Sequence, residues 1–439
     1  MKHLFLGLFA MLLVPFSFAE EEVEMEEVVV TGSRLGVTEQ SSTSPIKIID
    51  REDLDDLAVT SIGDFIQDLP QNAGGLNAQN NNGGNGSTTV SLRGLGGGRT
   101  LILLNGRRHV PYATGGIVDM NAIAPNTIER VDILLDGASA VYGSDAVGGV
   151  INIITKKDFD GLTVQGYSGR SSEGDGNITD LNVTFGSSSD RGNVTVTLGS
   201  YKIDEAMAGD RTWSYQDLGF NWSAGTQYGI GSTAPPEGMI IDREGTDGNE
   251  AWAAAQALGT PYLWGPGGNN PSSTWSEFSF AGNSDAGEGS YYNYQPINYL
   301  YTPSERTNIF ATANYELTDT IETFVEMSYI FRETEALLAF TPLFIISEGI
   351  TVAADQQYNP FGRSFIDVRR RMVEAGPRVF NRDLNTYRFV GGAIWDINEW
   401  EVEGFINYGL TDGTYVNSGR FVRSKVERAL GPAEDCTGS

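Results

Sequence analysis

The feature that most constrains this chain is an alternation of apolar and polar residues that begins near Leu162 and recurs along the rest of the sequence. In Leu181–Phe185, for example, leucine, valine and phenylalanine alternate with asparagine and threonine. A period of two gives a strand one apolar and one polar face. Repeated over segments of about ten residues, it is typical of membrane β-barrels. We predict about seven strands, at residues 162–169, 178–187, 193–203, 306–316, 321–333, 385–396 and 400–416.

The connections between these strands fall into two classes. Those at 188–192, 317–320 and 396–399 are tight, whereas those at about 204–305 and 334–384 are long. Outer-membrane barrels have short turns at one end and long loops at the other. Seven strands leave an open edge, whose unpaired backbone groups are costly in hydrocarbon. The sequence therefore predicts the first part of a larger barrel, incomplete in this chain.

The N-terminus has the pattern of an export signal. Residues Met1–Ala19 combine a lysine, an apolar run and small residues at the cleavage position, so we predict a signal peptide at 1–19. The run is too short for a membrane-spanning helix and Glu20 follows it at once. The acidic segment from Glu20 to Glu27 is expected to be a solvated tail.

Composition argues against several kinds of chemistry. A net charge of -28 is unsuited to nucleic acid. After signal removal His109 is the one histidine left, so we expect no histidine-based metal site, no Ser-His-Asp triad, no cofactor and no enzymatic activity. The glycine-rich segment Gly94–Gly98 lacks the spacing of a dinucleotide fingerprint. The single cysteine, Cys436, is either an idle thiol or has a partner beyond Ser439.

Residues 46–157 predict a small α+β domain. Ile46–Ile49 is a strand, Asp50 caps a helix with apolar residues at helical spacing as far as Leu69, and Pro70 ends it. After a loop rich in Asn and Gly, Asn105-Gly106 is a strong hairpin signal. Further elements are predicted as a strand at 128–135, a small helix at 138–142 and a strand at 150–155.

Three strings, one before this domain and two within it, resemble those of the TonB-dependent outer-membrane receptors. EEVVVTGSR (26–34) is similar to their TonB box, and SLRGLGGGRTLILLNGRR (91–108) and IERVDILLDGASAVYGSDAVGGVINIIT (128–155) are similar to their plug signatures. The resemblance implies a plug inside a barrel of about 22 strands. The domains are then a signal peptide (1–19), an acidic tail with the TonB box (20–39), a plug (40–157) and the first part of the barrel (158–439).

The resemblance also implies a function. The receptor sits in the cell outer membrane, captures a small extracellular ligand and imports it into the periplasm, while the periplasmic domain of TonB pulls on the box using the inner-membrane motor. The ligand would be an oligosaccharide, siderophore, cobalamin or peptide. Further partners would be outer-membrane lipid and the barrel-insertion machinery. The residues that would bind TonB, by strand addition, are Glu27, Val28, Val29, Val30 and Thr31. From the residues alone, the alternative is an ordinary first strand of the next domain, and the position of the segment beside the acidic tail favours strand addition.

By the same resemblance, Arg93, Glu129 and Arg130 would hold the plug to barrel carboxylates, with Glu401 and Glu403 as possible partners. Plug loops that face outward supply some ligand candidates, and five of the seven tryptophans lie in the long 204–305 connection. Aromatic faces among amides suit sugars, flat chelates and peptides, although these tryptophans could instead stabilise the loop. The ligand-binding candidates are Asn80, Asn81, Asn82, Tyr112, Trp213, Trp222, Trp252, Trp264 and Trp275.

Two rival functions stay open at this point. One is a passive plugged barrel or surface adhesin without energy coupling, which would work without the inner-membrane motor. The other is a soluble enzyme, which would be active and monodisperse without detergent.

Overall fold

A computed structural model of the chain describes residues 29–30, 37–38, 46–77, 79–80, 86–241, 262–264, 276–277, 291–357, 359, 362 and 364–434. The predicted signal peptide, the acidic tail and Cys436 lie outside these residues. Two short strands come first, β1 (Val29–Val30) and β2 (Val37–Thr38), which pair antiparallel. Among the described residues, no helix has the length and apolar character needed to cross a membrane.

The N-terminal domain is built on a five-stranded sheet of order β3-β6-β7-β4-β5. β4 and β7 pair in parallel and the other neighbours are antiparallel. The predicted hairpin lies between β4 and β5, where Asn105 (φ 52°) and Gly106 (φ 75°) both have positive φ, as a type I′ turn requires. The elements of the N-terminal domain are β3 (Ile46–Ile49), α1 (Arg51–Asp56), α2 (Ile62–Gln67), β4 (Thr100–Leu104), β5 (Arg107–Arg108), β6 (Ile128–Leu134), α3 (Ser139–Tyr142) and β7 (Gly149–Thr155).

The prediction of one helix from Asp50 to Leu69 is wrong in one respect, because the structure has two helices of six residues there. Asp50 caps α1 as predicted, and its side chain accepts a hydrogen bond from the Asp53 amide (2.9 Å). Ala58 then takes a left-handed conformation (φ 47°), which ends the helical path. Ser61 caps α2 by accepting from the Asp64 amide (3.3 Å). The helical spacing of apolar residues continues across the break between α1 and α2, so the sequence pattern could not show that the helix is interrupted.

The N-terminal domain has a hydrophobic core of its own. Residues of α1, α2 and the sheet pack together, and they include Leu54, Ile66, Ile133 and Ile151, each at most 1% exposed. One residue from outside the domain, Phe310, joins this cluster.

Seven antiparallel strands form the second region, called here the wall sheet, in the order β23-β22-β19-β18-β10-β9-β8. All seven predicted strands are confirmed, and the observed strands are up to seven residues longer at one end. The wall strands are β8 (Gly161–Gly169), β9 (Ile178–Ser189), β10 (Gly192–Ile203), β18 (Ser304–Thr318), β19 (Ile321–Leu338), β22 (Arg378–Ile397) and β23 (Trp400–Asn417).

The two faces of the wall sheet reverse the usual distribution of residues in a soluble protein. Alternate side chains of β9 such as Asp180, Asn182 and Thr184 are buried, whereas Leu181 and Phe185, at positions of the opposite parity, are more than half exposed. The buried polar face is the one that meets the N-terminal domain, and we call it the inner face. Apolar residues on the opposite face are stable only against an apolar medium, as in a membrane barrel.

The long connections are not simple loops, because they contain further strands. Parts of 204–305 and 334–384 combine into one five-stranded sheet of order β16-β15-β14-β21-β20, in which β14 pairs with β21. We call this side of the wall its loop end and the opposite side, with the tight connections, its turn end. The additional elements are β11 (Ala206–Met207), β12 (Leu218–Asn221), β13 (Thr226–Gly229), β14 (Met239–Ile241), β15 (Tyr262–Trp264), β16 (Ser276–Glu277), β17 (Tyr299–Tyr301), β20 (Pro342–Phe344), α4 (Ile345–Glu348), β21 (Val368–Arg371) and α5 (Arg423–Leu430).

Candidate functional site: the interface between the N-terminal domain and the wall sheet

The hairpin between β4 and β5 is held to the wall by a charged cluster. Glu326 of β19 accepts from Arg107 Nη1 (3.0 Å) and Asn105 Nδ2 (2.9 Å) through one carboxylate oxygen. Its other oxygen accepts from Arg388 Nη1 of β22 (2.7 Å). Arg107 also forms an ion pair with Glu403 of β23. These five residues are the lower cluster. It ties the hairpin to three wall strands at once.

Burial makes the lower cluster energetically important. The side chain of Arg388 is 0% exposed and that of Glu326 is 5% exposed. Arg107 lies over the rings of Phe324 (4.3 Å) and Phe405 (5.0 Å), two aromatic residues of the inner face. Stacking on rings suits the flat guanidinium group, which keeps its edge directed at the carboxylates. Removal of one partner from such a buried set leaves a charge without compensation.

A second cluster of opposite polarity lies nearer the loop end. Here the wall supplies the cation, because Arg332 of β19 donates through Nη2 to Asp119 Oδ2 of the N-terminal domain (2.5 Å). Arg332 also donates to the Gly86 carbonyl and to Ser87 Oγ. The other oxygen of Asp119 accepts from the amides of Thr88 (3.0 Å) and Asn121 (3.1 Å). Arg332, Asp119, Gly86 and Ser87 are the upper cluster, which fixes the 86–88 segment against the wall.

His109 follows the hairpin and is buried between the domain and the wall. Burial lowers the pKa of His109 from its ordinary 6.5 to about 4, and the positive charge of Arg388 acts in the same direction. The imidazole is therefore neutral at pH 7. A neutral ring suits its place beside Leu104, Phe310 and Ile330.

An open cavity of about 440 Å³ separates α2 from the loop end of β9 and β10. Its lining combines apolar side chains with carboxylates, and burial raises the pKa of the nearest of them, Asp64. Contact between the domain and the wall is thus loose beside α2 and tight at the two clusters. The lining residues include Leu57, Asp64, Phe65, Asp68, Tyr201 and Tyr301.

The structure places the predicted plug–barrel residues as follows. Arg93 donates to the carbonyls of Val147 (2.6 Å) and Gly148 (3.2 Å), which belong to its own domain. Arg130 forms an ion pair with Asp132 on the same strand (3.1 Å), and Glu129 is exposed. Among the seven described wall strands, the ion pairs to the domain use Arg107 and Asp119 instead. Contacts of Arg93 and Arg130 with barrel carboxylates stay a prediction.

Glu403 does contact the N-terminal domain, as its inward position suggested, but its partner is Arg107. The physical reason is position along the barrel. The hairpin turn extends towards the turn end, where Glu403 lies three residues beyond the start of β23. Arg93 lies instead in the turn that precedes β4, with its backbone at positive φ (56°).

The predicted ligand residues are only partly described. Asn80 is exposed, and the neighbouring Gln79 donates to Tyr301 Oη of β17 (2.7 Å), which brings this domain loop to the loop end of the wall. Tyr112 is half-buried, and Trp213 and Trp222 are exposed (67% and 88%). The backbone of Trp264 lies in β15. Candidates outside the described residues are Asn81, Asn82, Trp252 and Trp275.

The predicted TonB-binding segment is described only at Val29 and Val30, which form β1, whereas Glu27, Val28 and Thr31 lie outside the described residues. In the described ranges, no group of three His, Cys, Asp or Glu side chains could hold a metal ion.

Sequence reasoning missed the residues that hold the two parts together at the described interface. Glu326, Arg332 and Arg388 stand at inner-face positions of the alternation, where their nearest same-face neighbours include Phe324, Ser328 and Ile330. A charged residue at the inner position of a barrel strand is the signal that could have identified them. Asp119 and Arg107 carried no such signal, because each looks like an ordinary loop charge.

Comparisons with known proteins agree with these motifs. Residues 38–150 match the family model described as TonB-dependent Receptor Plug Domain. Two curated relatives, each named iron-regulated outer membrane virulence protein, come from Vibrio cholerae serotype O1 (strains ATCC 39541 and ATCC 39315). Each is 34% identical over 149 residues, which cover 32% of this chain and 22% of the relative. The matched part of the chain thus spans about a fifth of the length of these relatives.

Solved structures are also similar to this chain. The siderophore receptor PirA from Acinetobacter baumannii has a TM-score of 0.42 and 17% identity, over 88% of this chain and 49% of that one. A ferric enterobactin receptor mutant (PfeA) from Pseudomonas aeruginosa has a TM-score of 0.41 and 16% identity, over 85% and 46% of the two chains.

Proposed function

We propose that this chain, a member of the TonB-dependent receptors by its plug domain at residues 38–150, is part of an outer-membrane receptor that imports a scarce ligand into the periplasm. One observation carries the proposal. The plug has its own apolar core and is held to the wall by clusters of ion pairs and hydrogen bonds. Because polar contacts can be exchanged for water at a modest net cost, such a plug can move while most of its core stays packed, and Phe310 of the wall is the core residue that it would leave behind.

Energy for that movement would come from the periplasmic domain of TonB, acting on Glu27–Thr31. Support comes from the β-branched run Val28–Val30, which lies beside an acidic tail. Addition of such a strand to a partner's sheet edge uses backbone hydrogen bonds and needs few specific side chains. The domain limits that we propose are 1–19 for the signal peptide, 20–39 for the tail and box, 40–157 for the plug and 158–439 for the barrel part.

For the ligand we propose an iron chelate. The support is the name of the two Vibrio cholerae relatives, which calls them iron-regulated. Trp213, Trp222 and Tyr112 are the described aromatic candidates for contact with it. Oligosaccharide, cobalamin and peptide are the alternatives, and they take the place of the iron chelate if no ferric chelate is taken up.

The experiment uses the full-length protein in a bacterium that lacks its own iron-chelate receptors, with uptake of ⁵⁵Fe from a panel of ferric chelates as the readout. Deletion of Glu27–Thr31 is expected to abolish uptake and to change binding at 0 °C by less than about twofold, because none of the proposed ligand-binding residues lies in the deleted segment. Deletion of Gln40–Ser44 is the control of matched length and should leave uptake intact. Uptake that survives the first deletion, or the loss of the inner-membrane motor, would indicate a passive plugged barrel instead.

A further inference from the structure

Arg191 lies in the tight turn between β9 and β10, at the turn end of the wall sheet. It is the one cationic residue at the three tight turns between wall strands, in segments 189–192, 316–322 and 396–401. The carboxylates of the same segments are Asp190, Glu316, Asp319, Glu322, Asp396, Glu399 and Glu401. An anionic group that reaches these turns therefore has one defined cationic partner there.

The contacts of Arg191 place its side chain on the outer face of the wall, opposite the inner face. Its guanidinium lies over the ring of Tyr315 on β18 (5.6 Å), and its Nη2 donates to the Leu317 carbonyl (2.9 Å). Tyr315 alternates with the buried Thr312 and shares the parity of the exposed Ile309, so its ring points away from the plug. Because Arg191 is itself exposed, the rest of its guanidinium edge is accessible to a ligand.

An open groove of about 420 Å³ lies on the outer face beside Tyr315. Its walls are Val194 and Val325, whose side chains are exposed. Ala313 is paired by register with both valines and forms the low floor between them. Beside Tyr315 the register partner is Gly192, which has no side chain to fill the space. The groove is therefore largely apolar, and it ends at the ring that carries the Arg191 guanidinium.

Aromatic residues mark the level of the groove in the membrane. Tyr315, Trp395 and Trp400 all have exposed side chains at the turn end. Tyrosine and tryptophan concentrate at the headgroup level of a bilayer, and the short turns of outer-membrane barrels face the periplasm. Arg191 then lies at the headgroup level of the periplasmic leaflet, and the groove lies at the depth of the acyl chains.

The charges at this level distinguish between lipid headgroups. A phosphate accepts paired hydrogen bonds from a guanidinium group, which suits it to Arg191. A headgroup with no positive charge of its own would also meet the carboxylates of Asp190, beside Arg191, and of Asp319 in the neighbouring turn. A primary ammonium attached to the phosphate can pair with such carboxylates. A trimethylated ammonium cannot, because it has no N–H to donate.

We infer that the groove and Arg191 form a binding site for one phospholipid of the periplasmic leaflet, with a phosphoethanolamine headgroup. One acyl chain would lie in the groove over Ala313, and the phosphate would accept from Arg191 beside the Tyr315 ring. The ammonium would pair with Asp190 or Asp319. The site belongs to the wall alone and does not depend on which ligand is imported.

Native mass spectrometry of the full-length protein tests the site. The protein is purified in detergent, freed of lipid and titrated with phosphatidylethanolamine, phosphatidylglycerol and phosphatidylcholine that carry the same acyl chains. Phosphatidylethanolamine is expected to bind about tenfold more tightly than the other two lipids. Arg191→Gln should weaken its binding by about tenfold, because the variant removes the charged donor to the phosphate.

A second variant tests the groove without changing a charge. Ala313→Phe fills the floor and should also weaken phosphatidylethanolamine binding by about tenfold. Ser200→Phe is its control, since Ser200 is exposed at an outer position of β10 but lies at the loop end.

Arg170→Gln is the control for Arg191→Gln. Arg170 is also an exposed arginine in a connection between wall strands, where it donates to the Gly174 carbonyl (3.3 Å), but this connection is at the loop end. Both control variants should change binding by less than about twofold.

Two results would overturn the inference. One is equal binding of the three lipids, which would mean that the charges at the turn end do not select a headgroup. The other is binding within about twofold of the unmodified protein in both Arg191→Gln and Ala313→Phe. Lipid would then cover this face of the wall without a defined site.

Discussion

Replacement of Glu326 by glutamine is the sharpest test of how the plug is held. Glu326 receives two guanidinium groups and one amide, from Arg107, Arg388 and Asn105. Glutamine has nearly the same shape and can still accept one or two hydrogen bonds through its carbonyl. It has no charge, however, and its NH2 group replaces the oxygen that one of the arginines contacts.

The expected loss follows from burial. With Arg388 0% exposed and Arg107 11% exposed at their side chains, neither guanidinium can regain full hydration. Arg107 keeps its ion pair with Glu403. Arg388 loses its ion pair with the Glu326 carboxylate. Loss of one partner of a buried ion pair costs about 3–5 kcal/mol. We expect a value near the lower end, about 3 kcal/mol, because the glutamine carbonyl replaces one acceptor.

Hydrogen–deuterium exchange of the 100–110 peptide in the full-length protein measures this loss. Since each 1.4 kcal/mol is a factor of ten, exchange by local opening should accelerate by about 10²-fold. Glu305→Gln is the control with the same chemical change. Glu305 pairs with Lys202 at the surface, where both side chains are more than half exposed, so less than about 1 kcal/mol should be lost.

Two results would refute the reasoning. Exchange within about threefold of the unmodified protein would mean that the lower cluster does not hold the hairpin. Strictly additive effects of Glu326→Gln and Arg388→Gln would mean that the two residues do not act on each other, because partners in one buried cluster should be non-additive.

Two further predictions concern the plug itself. The folded pKa of His109, about 4, lies below its ordinary 6.5, so its contribution to stability is complete above pH 6.5 and is lost as the pH falls towards 4. That loss is at most about 3 kcal/mol. Urea unfolding of the plug at pH 7.5 and 4.5 measures it as a difference in the free energy of unfolding. In His109→Gln this difference should be smaller. Gly149 has φ 130°, and a Cβ there would lie 2.6 Å from the Leu134 carbonyl oxygen. Gly149→Ala should therefore destabilise the plug by about 2 kcal/mol or more by the same assay, whereas Gly106→Ala, with open space around it, should cost about 1 kcal/mol.

The wall strands could be predicted from sequence because alternate residues of each strand face two different environments and are apolar or polar accordingly. Leu181 and Phe185 face an apolar medium while Asn182 and Thr184 face the interior, so the period of two survives along each strand. The hairpin at Asn105-Gly106 was equally predictable, since it depends on two adjacent residues.

The functional contacts could not be predicted in this way, because they join residues far apart in the chain. Arg107 and Glu326 are 219 positions apart, and Asp119 and Arg332 are 213 apart. Their meeting depends on the rotation and depth of the plug inside the wall, which no local pattern encodes. The same limit applies to the sheet at the loop end, where the pairing of Ile240 with Val368 unites two connections that looked independent.

Phe310 carries a consequence for how this protein is assembled. It projects from β18 into the cluster that contains Leu54, Ile66 and Ile133 of the plug, and it is 6% exposed. An aromatic side chain of the wall therefore completes a core that the plug begins. A plug folded by itself would have an apolar hollow at this place, and β18 folded by itself would present an apolar ring to water. Each part therefore gains stability from the other, and neither surface is complete until the plug and the wall are in contact.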